Sequence, residues 1–107
     1  MKVINRIKKN EDFSVTINKG RSSRLSSFII YNKENELGYS RVGISASKKL
    51  GNAVTRNRIK RQVRAMCDAL IDYNNLSLDF VIIVRTTFLN NSFDVNKSQL
   101  SDYLKGL

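Results

Sequence analysis

The sequence predicts a single α+β domain whose elements follow in the order helix, strands, helix, strand, helix. Three observations lead to this prediction. The chain has 107 residues, which suffices for one domain with a modest core. Apolar residues recur at every second position in residues 41–47 and at every third or fourth position in residues 59–70, which are the periods of a strand and a helix. Residues 80–84 form an unbroken apolar run rich in β-branched side chains, as is typical of a buried strand.

A short first helix is predicted at residues 10–20. Asn10 is a suitable N-cap, and two acidic residues follow it in the first turn, where the helix dipole favours negative charge. Phe13 and Ile17 are four residues apart and share one face of this helix, and Gly20 ends it.

Two strands are predicted next, and we expect them to pair as an antiparallel hairpin. The first is Phe28–Tyr31, and the polar residues 32–36 form the turn after it. In the second, residues 41–47, one face is apolar and the other is small and polar. The apolar face carries Val42, Ile44 and Ala46, and the polar face carries Arg41, Gly43, Ser45 and Ser47.

The longest predicted helix begins after Gly51, with Asn52 as its N-cap. Its core-facing stripe consists of Ile59, Val63, Met66 and Leu70. After the strand at residues 80–84, a final amphipathic helix is indicated by Leu100, Tyr103, Leu104 and Leu107.

The charge of the chain is strongly positive and unevenly distributed. The formal net charge is +10, from 19 Lys and Arg against 9 Asp and Glu. Residues 1–64 carry 16 basic and 4 acidic side chains, whereas residues 65–107 carry 3 and 5. From Arg41 to Arg64 there are eight cations and no carboxylate. This imbalance predicts a polyanionic partner, and nucleic acid is favoured over a membrane surface or a basic face that only keeps the protein in solution.

The start of the long helix is the candidate contact with nucleic acid. With Ile59 turned towards the sheet, the side chains opposite it are polar or basic, and Arg56 and Arg58 flank the apolar stripe. Arginine outnumbers lysine here, which favours forked contacts with phosphate and stacking on bases. This chemistry suits RNA, although DNA would use the same residues.

Catalytic and metal-binding patterns are missing from the sequence. The chain has no histidine and one cysteine, Cys67, so no internal disulfide or Cys/His metal site is expected. Asp68 and Asp72 are four residues apart on the predicted long helix, a spacing more typical of a solvated face than of a metal site. No apolar run approaches the length of a membrane span, and the first residues lack the apolar segment of a signal peptide. We expect a protein of the reducing cytoplasm with no catalytic residue of its own.

The stretch RVGISASKKLGNAVTRNRIKRQVR, residues 41–64, closely resembles the signature of the bacterial ribonuclease P protein component, including its Arg-Asn-Arg motif. The resemblance extends through NEDF at 10–13, FIIY at 28–31 and DFVIIVR at 79–85. It implies one domain over residues 1–107 with the order α-β-β-β-α-β-α and a left-handed βαβ crossover, a ribosomal S5 domain 2-like sandwich. The additional strand would lie in residues 21–25.

The resemblance also implies a function. Such a protein is the accessory subunit of an endoribonuclease: a large catalytic RNA with its Mg²⁺ ions cuts the 5′ leader from precursor tRNA, and the protein assists it. The residues expected to contact the catalytic RNA are Lys48, Lys49, Asn52, Arg56, Asn57, Arg58, Lys60, Arg61 and Arg64. The leader is expected in a cleft between helix and sheet, at Phe13, Ile17, Tyr31 and Ser45. Ile17 stands where the family has an aromatic residue, which weakens the expected stacking platform.

Other interpretations of these residues remain open. A ribosomal or ribosome-associated RNA-binding protein without a hydrolytic role would be equally small and basic, and so would a protein that shapes double-stranded DNA. Phe13, as a single aromatic residue on a short helix, is by itself more typical of a core residue than of a ligand contact. The Arg-Asn-Arg helix with the residues before it favours ribonuclease P over both alternatives.

Overall fold

A computed structural model of residues 1–107 shows a four-stranded sheet with three α-helices. The helices are α1, Asn10–Lys19, α2, Ala53–Leu70, and α3, Phe93–Lys105. The strands are β1, Arg21–Arg24, β2, Phe28–Glu34, β3, Arg41–Ser45, and β4, Leu78–Val84. Three short 3₁₀ turns lie at Val3–Asn5, Lys48–Leu50 and Thr86–Asn90. The predicted α+β class and the order α-β-β-β-α-β-α are confirmed, including a strand within residues 21–25.

The strands lie in the order β1-β2-β4-β3 across the sheet. β2 is antiparallel to both β1 and β4, and β3 is parallel to β4, to which α2 connects it. The predicted hairpin of β2 with β3 is therefore wrong, because β4 lies between them. A strand that is apolar on both faces is most stable in the interior of a sheet, and β4 is the strand of this kind. Residues 32–36, predicted as a turn, form one only in part. β2 continues to Glu34, because Asn32 and Glu34 pair with β4.

The main core lies between one face of the sheet and helices α2 and α3. The strands contribute Phe28, Ile30, Val42, Phe80, Ile82 and Val84. From α2 come Ile59, Val63, Met66 and Cys67, and from α3 comes Leu100. The predicted apolar stripe of the long helix is thus confirmed, with Leu70 half-buried at its end.

The N-termini of α1 and α2 differ in how they are capped. The Asn52 side chain accepts a hydrogen bond from the Thr55 backbone N–H at 2.9 Å, so its predicted role as N-cap of α2 is confirmed. Gly51 before it has φ 132°, a value that favours glycine and that lets the 3₁₀ turn lead into α2. The predicted N-cap of α1 is wrong: Asn10 is already helical, the residue before it is Lys9, and no side chain caps this end.

Candidate nucleic-acid interface

The basic residues of α2 lie away from its packed face. Asn57, Arg58 and Arg61 are exposed, and Arg56, Lys60 and Arg64 are half-buried. Together with Lys48 and Lys49 they form what we call the basic surface. None of its seven cations has a carboxylate oxygen within 4.0 Å. Their mutual repulsion is therefore uncompensated within the protein, which favours binding of an anion.

The two arginines of the Arg-Asn-Arg motif have different surroundings. Arg58 is exposed, whereas Arg56 lies three residues before the buried Ile59 and is half-buried beside the apolar stripe. The Nε of Arg56 is buried without a hydrogen-bond partner. A buried donor without a partner is costly, so this Nε–H is a locally destabilising feature of the basic surface.

The short turn before α2 presents the two lysines of the basic surface. Lys48 and Lys49 are exposed, while Leu50 is buried in the main core and anchors the turn. Backbone hydrogen bonds from Leu50 to Ser47 and from Gly51 to Lys48 close it. Asn52 uses its side-chain oxygen to cap α2 and keeps its amide NH₂ free for another acceptor.

Helix α1 covers the other face of the sheet. Directly opposed residues on neighbouring strands point to the same face, so the register defines three rows beneath α1. The rows are Lys33, Asp79 and Arg41; Tyr31, Val81 and Gly43; and Ile29, Ile83 and Ser45. Thr16 is the most buried residue of α1, with an exposed fraction of 1%. Of the predicted cleft residues, Tyr31 and Ser45 therefore lie on the sheet face that α1 covers, Phe13 and Ile17 belong to α1 itself, and α2 is on the opposite face.

The ring of Phe13 packs directly on Gly43. A Cβ atom at position 43 would lie 2.7 Å from Cε2 and 2.9 Å from Cε1 of Phe13, and closer still to Cζ. A larger residue at position 43 therefore requires this ring to move. The space over Gly43, on the small and polar face of β3, is thus filled by Phe13 and closed to a nucleic-acid backbone. Phe13 is half-buried, so it contributes to packing and keeps an accessible part.

The two flanks of α1 face different rows of the sheet. Asp12, Val15 and Lys19 line a groove of about 950 Å³ with Lys33 and Arg41. Phe13 and Ile17 lie on the other flank, where the Phe13 ring packs on Gly43 in the row of Tyr31 and Val81. We call this second side the α1 cleft. It comprises Phe13, Ile17, Tyr31, Ile29, Ile83 and Ser45, all half-buried except the exposed Ser45.

Arg24 is a residue of the α1 cleft that the sequence did not reveal. It is exposed at the end of β1 and pairs with Ile29, so it extends the row that contains Ile83 and Ser45. The segment of β1, RSSR, has no apolar residue and no alternation, because it is a solvent-facing edge strand. No signal in the sequence alone identified Arg24.

The basic surface and the α1 cleft adjoin at one end of the strands. β1, β3 and β4 run in the same direction, so Arg24 and Ser45 lie at the same end of the strands, on the two outer strands of the sheet. From Ser45 the chain passes directly into the turn with Lys48 and Lys49 and then into α2. This turn therefore connects the Ser45 end of the α1 cleft with the basic surface.

Several carboxylates are bound by other side chains of the protein. Asp79 and Asp12 both pair with Arg41, at 2.6 Å and 3.3 Å, so Arg41 is not one of the unpaired cations that the sequence suggested. Asp68 accepts a hydrogen bond from the Tyr73 hydroxyl at 2.8 Å. Asp72 does not share the helix with Asp68, because α2 ends at Leu70. No three acidic, cysteine or histidine side chains come close enough to hold a metal ion.

None of the three α-helices has the length and hydropathy needed to cross a bilayer.

Comparison with known proteins decides among the classes left open by the sequence. The family model for Ribonuclease P matches residues 1–107. The chain belongs to the ribonuclease P protein family. The ribonuclease P protein component of Mesoplasma florum is 50% identical over 96 residues, which are 89% of this chain and 87% of that protein. The same component of Bacillus cereus is 41% identical over 106 residues, with 98% and 92% covered.

Solved structures of ribonuclease P proteins have the same fold. The Staphylococcus aureus protein superposes with a TM-score of 0.83 at 38% identity, covering 94% of this chain and 93% of that one. The Thermotoga maritima protein gives a TM-score of 0.81 at 28% identity, covering 95% and 96%. The predicted family is confirmed, and a role in tRNA processing as a subunit of ribonuclease P follows from it.

Proposed function

We propose that this protein assists a catalytic RNA in removing the 5′ leader of precursor tRNA by binding both RNAs at adjoining surfaces. The observation that carries the proposal is the pairing of an uncompensated cationic helix with an aromatic cleft at one end of the strands. Cations supply affinity for phosphates, and aromatic faces hold unpaired bases. A double-stranded DNA binder has no use for the aromatic cleft.

The catalytic RNA would bind the basic surface. Arg58 and Arg61 are exposed and have no carboxylate partner, so no internal ion pair must break before they contact phosphates. Lys48 and Lys49 add point charges from the 3₁₀ turn before α2. The NH₂ group of Asn52 is available for one further hydrogen bond to RNA.

The leader would lie in the α1 cleft. Phe13 and Tyr31 supply the faces on which unpaired bases stack, and each stacked base contributes about 1–3 kcal/mol. Ile17 offers apolar contact without stacking. Ser45 and Arg24, both exposed along one row, would hold the sugar-phosphate backbone of the same strand.

We assign no catalytic residue to the protein and place the reaction centre, with its Mg²⁺ ions, on the RNA. The buried carboxylate Asp79 is already bound by Arg41 and Asn35. The other acidic residues do not converge in a group that fits Mg²⁺. We place the complex in the cytoplasm, where a single buried thiol such as Cys67 stays reduced.

Reconstitution tests this proposal. The purified protein is added to several bacterial ribonuclease P RNAs at a Mg²⁺ concentration at which each RNA alone cleaves precursor tRNA slowly. We expect the protein to restore cleavage at the mature 5′ end, because its cations replace part of the charge screening that Mg²⁺ provides. The protein without RNA should cleave nothing. Failure to restore cleavage with every RNA would contradict the proposal.

A further inference from the structure

We infer that Arg41 is a positioning residue that holds α1 in the orientation in which Phe13 lines the α1 cleft. This inference rests on the proposed binding of the leader. Arg41 belongs to the segment that resembles the family signature, yet it faces neither the basic surface nor the cleft. Its contacts instead join the sheet to α1.

The guanidinium of Arg41 binds two carboxylates on different elements. Its Nε donates to Asp79 Oδ1 at 2.9 Å, and its Nη2 donates to Asp79 Oδ2 at 2.6 Å. Its Nη1 donates to Asp12 Oδ2 on α1 at 3.3 Å. We call these three residues the Arg41 bridge. A planar fork can make all three bonds at once, and an ammonium group lacks this geometry.

The strand end of the bridge is firmly held. Asp79 has an exposed fraction of 7% and also accepts a hydrogen bond from Asn35 at 2.8 Å. The hydrogen bonds to Asp79, together with the negative charges of Asp79 and Asp12, raise the pKa of Arg41 above its ordinary value, although burial opposes this shift. Because the guanidinium is fixed by a buried partner, its third contact fixes the position of Asp12.

The bridge is adjacent to the contact between Phe13 and Gly43. Arg41 and Gly43 point to the same face of β3, two residues apart, and Asp12 and Phe13 are consecutive in α1. The chain before α1 is tied separately to β3 by the bond from Ile7 N–H to the Val42 carbonyl at 3.0 Å. Loss of the bridge should therefore let α1 rotate and move the Phe13 ring without detaching the helix.

Two matched variants isolate this effect from charge. Asp12→Asn and Glu11→Gln each remove one acid from the first turn of α1 and raise the net charge equally, but only Asp12 contacts Arg41. General attraction to RNA should increase by the same amount in both. Arg41→Lys keeps the charge beside Asp79 and removes the fork, so it avoids leaving a buried carboxylate unpaired.

The measurement is the affinity of the reconstituted complex for precursor tRNA divided by its affinity for mature tRNA, with a thermal melt of each variant. We expect Asp12→Asn and Arg41→Lys to lower this ratio by about threefold or more, up to the roughly 150-fold that one stacked base supplies at most, and Glu11→Gln to leave it unchanged. In a Phe13→Ala background, Asp12→Asn should have no further effect on the ratio.

The outcomes separate this inference from the proposed function. If Asp12→Asn and Glu11→Gln give the same ratio, or if Asp12→Asn lowers only the melting temperature, Arg41 has a structural role alone and the inference is wrong. An undiminished effect of Asp12→Asn in the Phe13→Ala background would also overturn it. Equal affinity of the wild-type complex for precursor and mature tRNA would overturn the leader-binding proposal and the inference together.

Discussion

Replacing Gly43 by alanine should change the stability of the protein with a sign that depends on Phe13. The added Cβ would lie 2.7 Å and 2.9 Å from two ring atoms of Phe13, against an ordinary contact of 3.4–4 Å. The ring must therefore move by roughly 1 Å, and overpacking of this kind costs about 1–3 kcal/mol. Alanine is preferred to glycine within a strand by about 0.5–1 kcal/mol, which offsets part of the loss. We expect Gly43→Ala to lower the free energy of unfolding by up to about 2.5 kcal/mol, and by about 1 kcal/mol at the middle of both ranges.

In a Phe13→Ala background the same substitution should be stabilising. The ring is then gone, so only the strand preference remains, and Gly43→Ala should raise the free energy of unfolding by about 0.5–1 kcal/mol. Urea denaturation of the four proteins measures both effects, with an unchanged m value as the control for a two-state transition. The packing of Phe13 on Gly43 would be refuted if Gly43→Ala had the same effect in both backgrounds.

Two further predictions concern the basic surface and the buried thiol. If Arg56 and Arg58 each contact a phosphate, the double substitution to alanine should reduce the slope of log affinity against log salt by about 1.4–1.8, whereas Lys105→Ala on α3 should leave it unchanged. An unchanged slope in the double variant would place the RNA elsewhere. Burial raises the pKa of the Cys67 thiol from its ordinary 9.0 to about 12. The stability that Cys67 contributes as a neutral thiol is complete below pH 9.0 and is lost as pH rises towards about 12. The free energy of unfolding of Cys67→Ala should therefore fall less over that interval, as measured by urea titrations at several pH values. The native thiol should also resist a thiol reagent at pH 8 and react once urea unfolds the chain, and fast labelling of the folded protein would contradict its burial.

The elements with a strong period were predictable from sequence, and the sheet order was not. The stripe through Ile59, Val63 and Met66 is set by its own spacing, and all three residues are buried. The position of β4 between β2 and β3 depends on pairing between segments far apart in the chain. Local patterns favour a hairpin of neighbouring strands, and only the apolar character of both faces of β4 opposes it.

The candidate site was predictable where charge or aromatic character marks it. The basic surface follows from a run of cations without acids, and its unpaired state in the fold agrees with that pattern. Arg41 belonged to the same run, but its partners Asp12 and Asp79 lie 29 and 38 residues away in the chain. The contact of Phe13 with Gly43 was likewise hidden, because it joins a helix and a strand that only the tertiary fold brings together.

The most direct test of the account is the affinity of the reconstituted complex for a series of precursor tRNAs whose leaders grow one nucleotide at a time from none. Binding in the α1 cleft predicts that affinity rises with the first few nucleotides and then stays constant once the cleft is filled. The rise should shrink in Tyr31→Ala, by roughly 5- to 150-fold in affinity if one stacked base is lost, while affinity for mature tRNA stays the same. An affinity that does not depend on leader length, or a Tyr31→Ala variant that weakens mature and precursor tRNA equally, would contradict the central claim that this protein holds the leader.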